Sequence, residues 1–151
     1  MTLFEAAAAL LQAVEDSWTE VDVLPSRRYV SNGAVAHDCE QATVAILRTY
    51  AGTPSALASG PTQGMATRTA TLRAEVARCV PSTDEGGPMP SAAGIQDSAE
   101  EVHRDHDLLI IAARKFAKES GCEEVIIGDA LPFGPEGGIA GWGLEVRAQL
   151  G

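Results

Sequence analysis

The sequence predicts an α+β domain, a mostly antiparallel sheet in the order α-β-β-β-α-β-β with two helices packed on one face. Three observations predict it. Residues 39–50, 68–80 and 142–150 alternate apolar and polar side chains, the period of a strand with one buried and one wet face. Residues 2–16 and 91–120 instead repeat apolar residues at intervals of three and four, which puts a single stripe on a helix. The chain has 151 residues, a size that suits one domain with one core, so 1–151 is read as a single unit.

Each element has its own signal. Thr2 is placed to cap the first helix, with Glu5 three residues on as its reciprocal partner in a capping box. Leu3, Ala7, Leu10, Leu11 and Val14 form its stripe, and its alanines favour helix intrinsically. Residues 18–24 are a transition that Pro25 ends. A strand is expected over 27–35, interrupted by the turn-forming pair Asn32-Gly33. In the next strand, Ala42, Val44, Ile46 and Tyr50 share one face, and Gln41, Thr43 and Thr49 the other. In the third, Ala70, Leu72, Ala74, Val76 and Val80 oppose Thr69, Thr71, Arg73 and Glu75.

The connections differ in length. Residues 51–67 form a long loop rich in Gly, Pro, Ser and Thr, and 81–90 a second polar connector. Neither is a domain boundary, because neither side alone makes a core. The long second helix carries Ile95, Ala99, Val102, Leu109, Ala113 and Phe116 on one stripe, with His106 in register. Gly121 closes it, and Lys115 and Lys118 lie where the helix dipole favours cations. A short strand at 125–127, a Gly/Pro-rich reversal over 128–141 and a final strand follow. In that last strand Trp142, Leu144, Val146, Ala148 and Leu150 share a face.

Composition excludes several functions. No apolar run approaches the ~20 residues that cross a bilayer. The apolar stretch 6–14 has no basic flank, so a secretory signal is not expected and the chain reads as a soluble product. With 11 Lys+Arg against 21 Asp+Glu, the net charge is −10. A grip on nucleic-acid phosphates or on anionic lipid needs a basic face, so both are disfavoured. Cys39, Cys79 and Cys122 are odd in number and share no short spacing. Neither a disulfide framework nor a zinc ribbon is indicated, and reduced cysteines of a cytoplasmic product are the simplest reading.

The chemistry-bearing residues are few. His37-Asp38-Cys39-Glu40 is the most enzyme-like string, but its carboxylates oppose thiolate formation, and a strand start with a buried cysteine explains it as well. His103, His106 and Asp107 on the long helix have metal-ligand types without the zincin spacing. A solvated helix face with one core-edge histidine accounts for them. The glycines match neither GxxxxGK[ST] nor GxGxxG, so no nucleotide cofactor is expected. Gly137-Gly138 and Gly141 instead suit positive φ in a tight reversal. Arg27, Arg28, Arg68, Arg73 and Arg78 are the basic concentration, read either as solvated strand residues or as partners for a neighbour's acidic surface.

Several strings together carry a resemblance. Pro25-Ser26-Arg27-Arg28-Tyr29-Val30, Ala36-His37-Asp38-Cys39-Glu40-Gln41, Arg68-Thr69-Ala70-Thr71-Leu72 and Arg78-Cys79-Val80-Pro81 are four of them. Pro90-Ser91-Ala92-Ala93 and Gly138-Ile139-Ala140-Gly141-Trp142 complete the set. In order and spacing, over about residues 25–150, they are similar to small head–tail assembly proteins of actinobacterial siphophages and resemble tail terminators. The resemblance implies a homohexameric ring that stops tail-tube polymerisation and offers the head-joining surface. Its implied partners are further copies of itself, the major tail tube protein and a head–tail stopper or connector protein. Genome DNA would pass through the ring without specific binding. The implied location is the head-proximal end of the virion tail, after synthesis in the host cytoplasm.

The family supplies no catalytic residues, metal or cofactor. Candidate contacts with a neighbouring subunit or the tail tube are Arg27, Arg28, Arg68, Arg73, Pro132 and Phe133. Loops 51–67 and 128–141 are expected to be mobile in the free chain and ordered by neighbours. The alternatives are a neighbouring connector or stopper component, a small Cys-dependent hydrolase built on Cys39 and His37, and a monomeric phage regulatory binding module.

Overall fold

A computed structural model describes residues 1–18, 22–57, 67–81 and 89–151. Helix α1 (Leu3–Ser17) begins where the capping box was read: Glu5 N–H donates to the Thr2 hydroxyl at 3.2 Å, and Thr2 N–H to the Glu5 carboxylate at 2.6 Å. The backbone bond from Thr2, then its side-chain bond, hold the Glu5 carboxyl below its ordinary value. A depressed carboxyl stabilises above the usual carboxylate range and loses that effect as pH falls through its folded value, so this cap weakens in acid.

Strands β1 (Arg27–Asn32), β2 (Gln41–Thr53), the two-residue β3 (Ala56–Leu57) and β4 (Arg68–Cys79) follow. Helix α2 (Ala92–Glu119) then leads to the hairpin β5 (Val125–Glu136) and β6 (Ile139–Gln149). The main sheet runs β1-β2-β4-β6-β5, with β3 paired to β2 off that path. Both the element order and the packing of helices against the sheet agree with the sequence pattern. Every pair is antiparallel except β1–β2, so the sheet is mixed. Asn32-Gly33 ends β1 rather than interrupting it, and the chain returns through residues 33–40 to start β2 beside Arg27. Eight extended residues reach ~26–29 Å, enough to span the ~20 Å of a six-residue strand without a helix.

One core lies between the helices and a single sheet face. Leu10 and Val14 of α1 and Leu109, Ala113 and Phe116 of α2 meet Val44, Leu72, Val76, Leu144 and Val146, all buried. Ile46 packs against them and is half-buried.

Four expectations need correction. A bulge between Ile46 and Arg48 inserts one residue into β2, so Tyr50 pairs with Thr69 and lies on the face opposite Ile46. The polar face is not wet: Gln41, Thr43, Thr69, Thr71 and Glu75 are all buried. Chain crossing that face explains it. His37 of the 33–40 segment bonds Glu75, Arg147 reaches the Pro54 carbonyl at 3.2 Å, and the Thr69 hydroxyl reaches the Gly52 carbonyl at 2.7 Å.

Third, the expected 128–141 loop is paired strand. Pro132 and Pro135 are tolerated because β5 is an edge, and the turn is confined to Gly137-Gly138, with φ of 60° and 75°. Fourth, of the expected 51–67 loop, 51–53 extend β2 and 56–57 form β3. Residues 58–66 of that loop, 82–88 of the second connector and 19–21 of the transition lie outside the described residues.

Candidate functional site

Helix α2 outruns its core. Ser91 caps it, its hydroxyl accepting Gly94 N–H at 3.0 Å. From Asp105 onward the stripe is buried, but Ile95 is 51% exposed, Ala99 is exposed and Val102 is half-buried. The apolar stripe is therefore not covered over its first three turns. They stand off from the hairpin, leaving an open apolar groove of about 370 Å³. Ile95, Ala99 and Val102 form the helical wall; Val80 and Pro81, after β4, with Phe133 and Trp142 of the hairpin, form the other. His106 meets Trp142 edge-on at 4.6 Å, and His103 lies tilted against it at 5.9 Å.

Phe133 reaches the groove because β6 carries no side chain beneath it. A Cβ on Gly141 would run into the Val76 carbonyl oxygen and the Phe133 ring. The role of Gly141 is thus close approach, not the positive φ expected for it, which it does not adopt. Against the other side of this cluster lies His37, its ring stacked on Phe133 at 4.2 Å and 3°. His37 Nε2 lies 3.1 Å from a carboxylate oxygen of buried Glu75, and Arg73 lies 3.7 Å from the other. Gly141→Ala is expected to cost about 1–3 kcal/mol through overpacking, read in urea melts, and to shift Trp142 fluorescence as Phe133 is displaced.

Two residues before Val80 and one helical turn after Val102 lies a charge cluster that the sequence reading missed. Arg78, only 5% exposed, donates from Nε and Nη2 to the two oxygens of buried Asp105 at 2.8 and 2.9 Å. Nη2 also donates to the Val23 carbonyl at 2.8 Å, and Glu40 and Glu101 lie at 3.6 and 3.7 Å. Burial alone would lower the Arg78 pKa. The bond and charge of Asp105, then Glu101 and Glu40, more than offset it, so the guanidinium pKa is raised and the group stays charged. Arg78 is therefore neither a solvated strand residue nor a partner for another copy. A signal was present: Asp105 falls between Val102 and Leu109 on the helix stripe, and Arg78 between Val76 and Val80 on the apolar strand face.

The interface candidates do not form one surface. Arg73, Pro132 and Phe133 come together beside His37 and Glu75. Arg27 and Arg28 are exposed on β1, at the opposite edge of the sheet, where Arg27 faces Asp38 at 3.9 Å and Arg28 donates to the Pro25 carbonyl at 2.7 Å. Arg68 is exposed at the start of β4, far along the strand from the groove.

Cys39 and Cys79 form a disulfide, which corrects the reading of reduced cysteines; Cys122 is free. The two are 40 residues apart, but the β2–β4 register that pairs Gln41 with Ala77 sets them opposite each other two residues further on. A bonded Cys39 offers no thiolate, so the hydrolase reading loses its nucleophile here. Among the described residues no group of three or more His, Cys, Asp or Glu side chains is placed to hold a metal ion. Instead of converging on a shared ligand position, His103 and His106 face Trp142. No helix of the described residues is long and apolar enough to cross a membrane.

No protein-family model matches the sequence, and no curated protein is significantly similar to it. The described residues thus present an exposed apolar groove next to a disulfide-bridged segment, with a buried ion pair nearby on α2 and β4.

Proposed function

We propose that this chain is a structural assembly protein of the tail-terminator type, acting as a homohexameric ring that caps the tail tube and offers the head-joining surface. The observation that carries this reading is the groove between α2 and the β5–β6 hairpin. A chain with net charge −10 spends surface on Ile95, Val102, Phe133 and Trp142, a use that suits contact with another protein. The resemblance of residues 25–150 to tail terminators names the kind of contact. Pro132 and Phe133 on the groove's hairpin wall, with Arg73 behind them, are the candidate interface residues that this reading keeps together.

Charge sets the conditions of assembly. Six copies at −10 each carry about −60, a repulsion that opposes free rings and that salt screens. The same charge lets DNA pass through a lumen without being held. In this reading the virion tail is the protein's location, and the major tail tube protein and a stopper or connector are its partners.

Light scattering of the purified chain is expected to show hexamers that increase from low to high salt, and Phe133→Glu to abolish them. Cryo-electron microscopy of tails is expected to show six copies at the head-proximal end of the tube. A chain that stays monomeric at every salt concentration and is absent from particles would overturn the reading. A ring found on the head side of the joint would instead assign the chain to the connector.

A further inference from the structure

We propose that the Cys39–Cys79 disulfide is a redox-sensitive clasp that sets the hairpin wall of the apolar groove through segment 33–40. The inference rests on contacts within one chain and is independent of ring assembly. Cys79 directly precedes Val80 and Pro81, which line the groove. Cys39 lies two residues after His37, whose ring stacks on Phe133 of the same wall. One covalent bond therefore ties two parts of that wall together.

Little else holds the segment down. Ala34, Ala36, His37, Asp38 and Glu40 are exposed. Its ends are fixed by the Gly33 N–H bond to the Ile46 carbonyl at 2.8 Å and by Glu40, 3.6 Å from Arg78. Between them the attachments are the Gln41 side-chain bond to the Ala36 carbonyl at 3.0 Å, the His37–Glu75 contact and a surface pair between Asp38 and Arg27 at 3.9 Å. A surface ion pair and two partly exposed hydrogen bonds are weak anchors, so the stretch belongs to the parts of a fold that open locally. With the bridge closed, His37 is confined beside Phe133. With it open, the stacking must compete with the freedom of an exposed loop.

The bridge is reachable. Cys79 is exposed and Cys39 half-buried, so a small thiol can approach the sulfurs. Closing consumes one low-molecular-weight disulfide. One cysteine thiolate attacks it and expels a thiolate, which takes up a proton. The second cysteine then displaces the other half. Two protein thiols are oxidised to the bridge, and the small disulfide is reduced to two thiols. A dithiol reductant opens the bridge by the reverse exchange.

Hydrogen exchange and Nile red binding, compared for the full chain oxidised and held in dithiothreitol, test the clasp. Reduction is expected to raise exchange about tenfold over 34–40 and 131–134 while far-UV circular dichroism is kept, and to weaken Nile red binding about threefold. The Cys39→Ser/Cys79→Ser double variant is expected to match the reduced chain, and Cys122→Ser the oxidised one. His37→Ala, with the bridge intact, is expected to loosen 131–134 alone. Unchanged exchange at 131–134 or unchanged dye affinity on reduction overturns the coupling. Loss of the whole fold on reduction also overturns it, because the bridge is then a general staple.

Discussion

Asp105→Ala is expected to cost about 3–5 kcal/mol, the largest loss for any single side chain here, because it leaves the Arg78 guanidinium buried without its main partner. The pair is bidentate, at 2.8 and 2.9 Å, and both residues are almost fully buried. Glu40 and Glu101 lie at 3.6 and 3.7 Å on half-exposed side chains and compensate only in part. Against a total stability of roughly 5–15 kcal/mol for such a domain, this change brings the chain near unfolding. Replacing both partners, Arg78→Met with Asp105→Leu, is expected to recover most of the loss, since no buried charge then remains. Urea melts of the three variants measure it. A cost below ~1 kcal/mol for Asp105→Ala would mean that water reaches Arg78 and solvates it.

Leu109→Ala is expected to cost about 2–5 kcal/mol. Leu109 is 2% exposed and sits in the cluster with Leu10, Leu72 and Leu144, where helix and sheet meet. The range reflects how far the neighbours can close the cavity, and a core filled by short aliphatic side chains has little reach to do so. Ile95→Ala, four turns earlier on the same stripe, is expected to cost much less, because Ile95 is already half in solvent. The contrast between the two separates the part of α2 that holds the fold from the part that lines the groove. Equal costs in urea melts would show the groove to be closed in solution.

These effects trace the limits of what could be read from residues alone. Thr2 with Glu5 caps α1 by contacts three residues apart, and the apolar repeat of α2 begins at about residue 91, so both starts were legible in the chain. The apolar face of β4, from Ala70 to Val76, and that of β6, from Leu144 to Ala148, were legible too, because each reports burial through a period of two. With the helix stripes they determined the α+β class and the element order. The groove itself was half legible. Ile95, Val102, Phe133 and Trp142 were all visible as apolar residues, but nothing local says that the first turns of α2 stand off from the hairpin they face.

Other features depended on strands meeting across long separations, and only the tertiary structure decided them. A bulge after Ile46 moved Tyr50 to the other face, since a one-residue shift reverses every later side chain. The β2–β4 register brought Cys39 to Cys79, and the packing of α2 over β4 brought Asp105 to Arg78. His37 of segment 33–40 met Glu75 on the polar face, and Gly52 and Pro54 met Thr69 and Arg147 there, so that face lost the solvent that its alternation suggested. Local pattern records which side of an element is apolar, because burial acts on each side chain separately. Pairing is a property of two distant segments held at one distance, and neither segment encodes it alone.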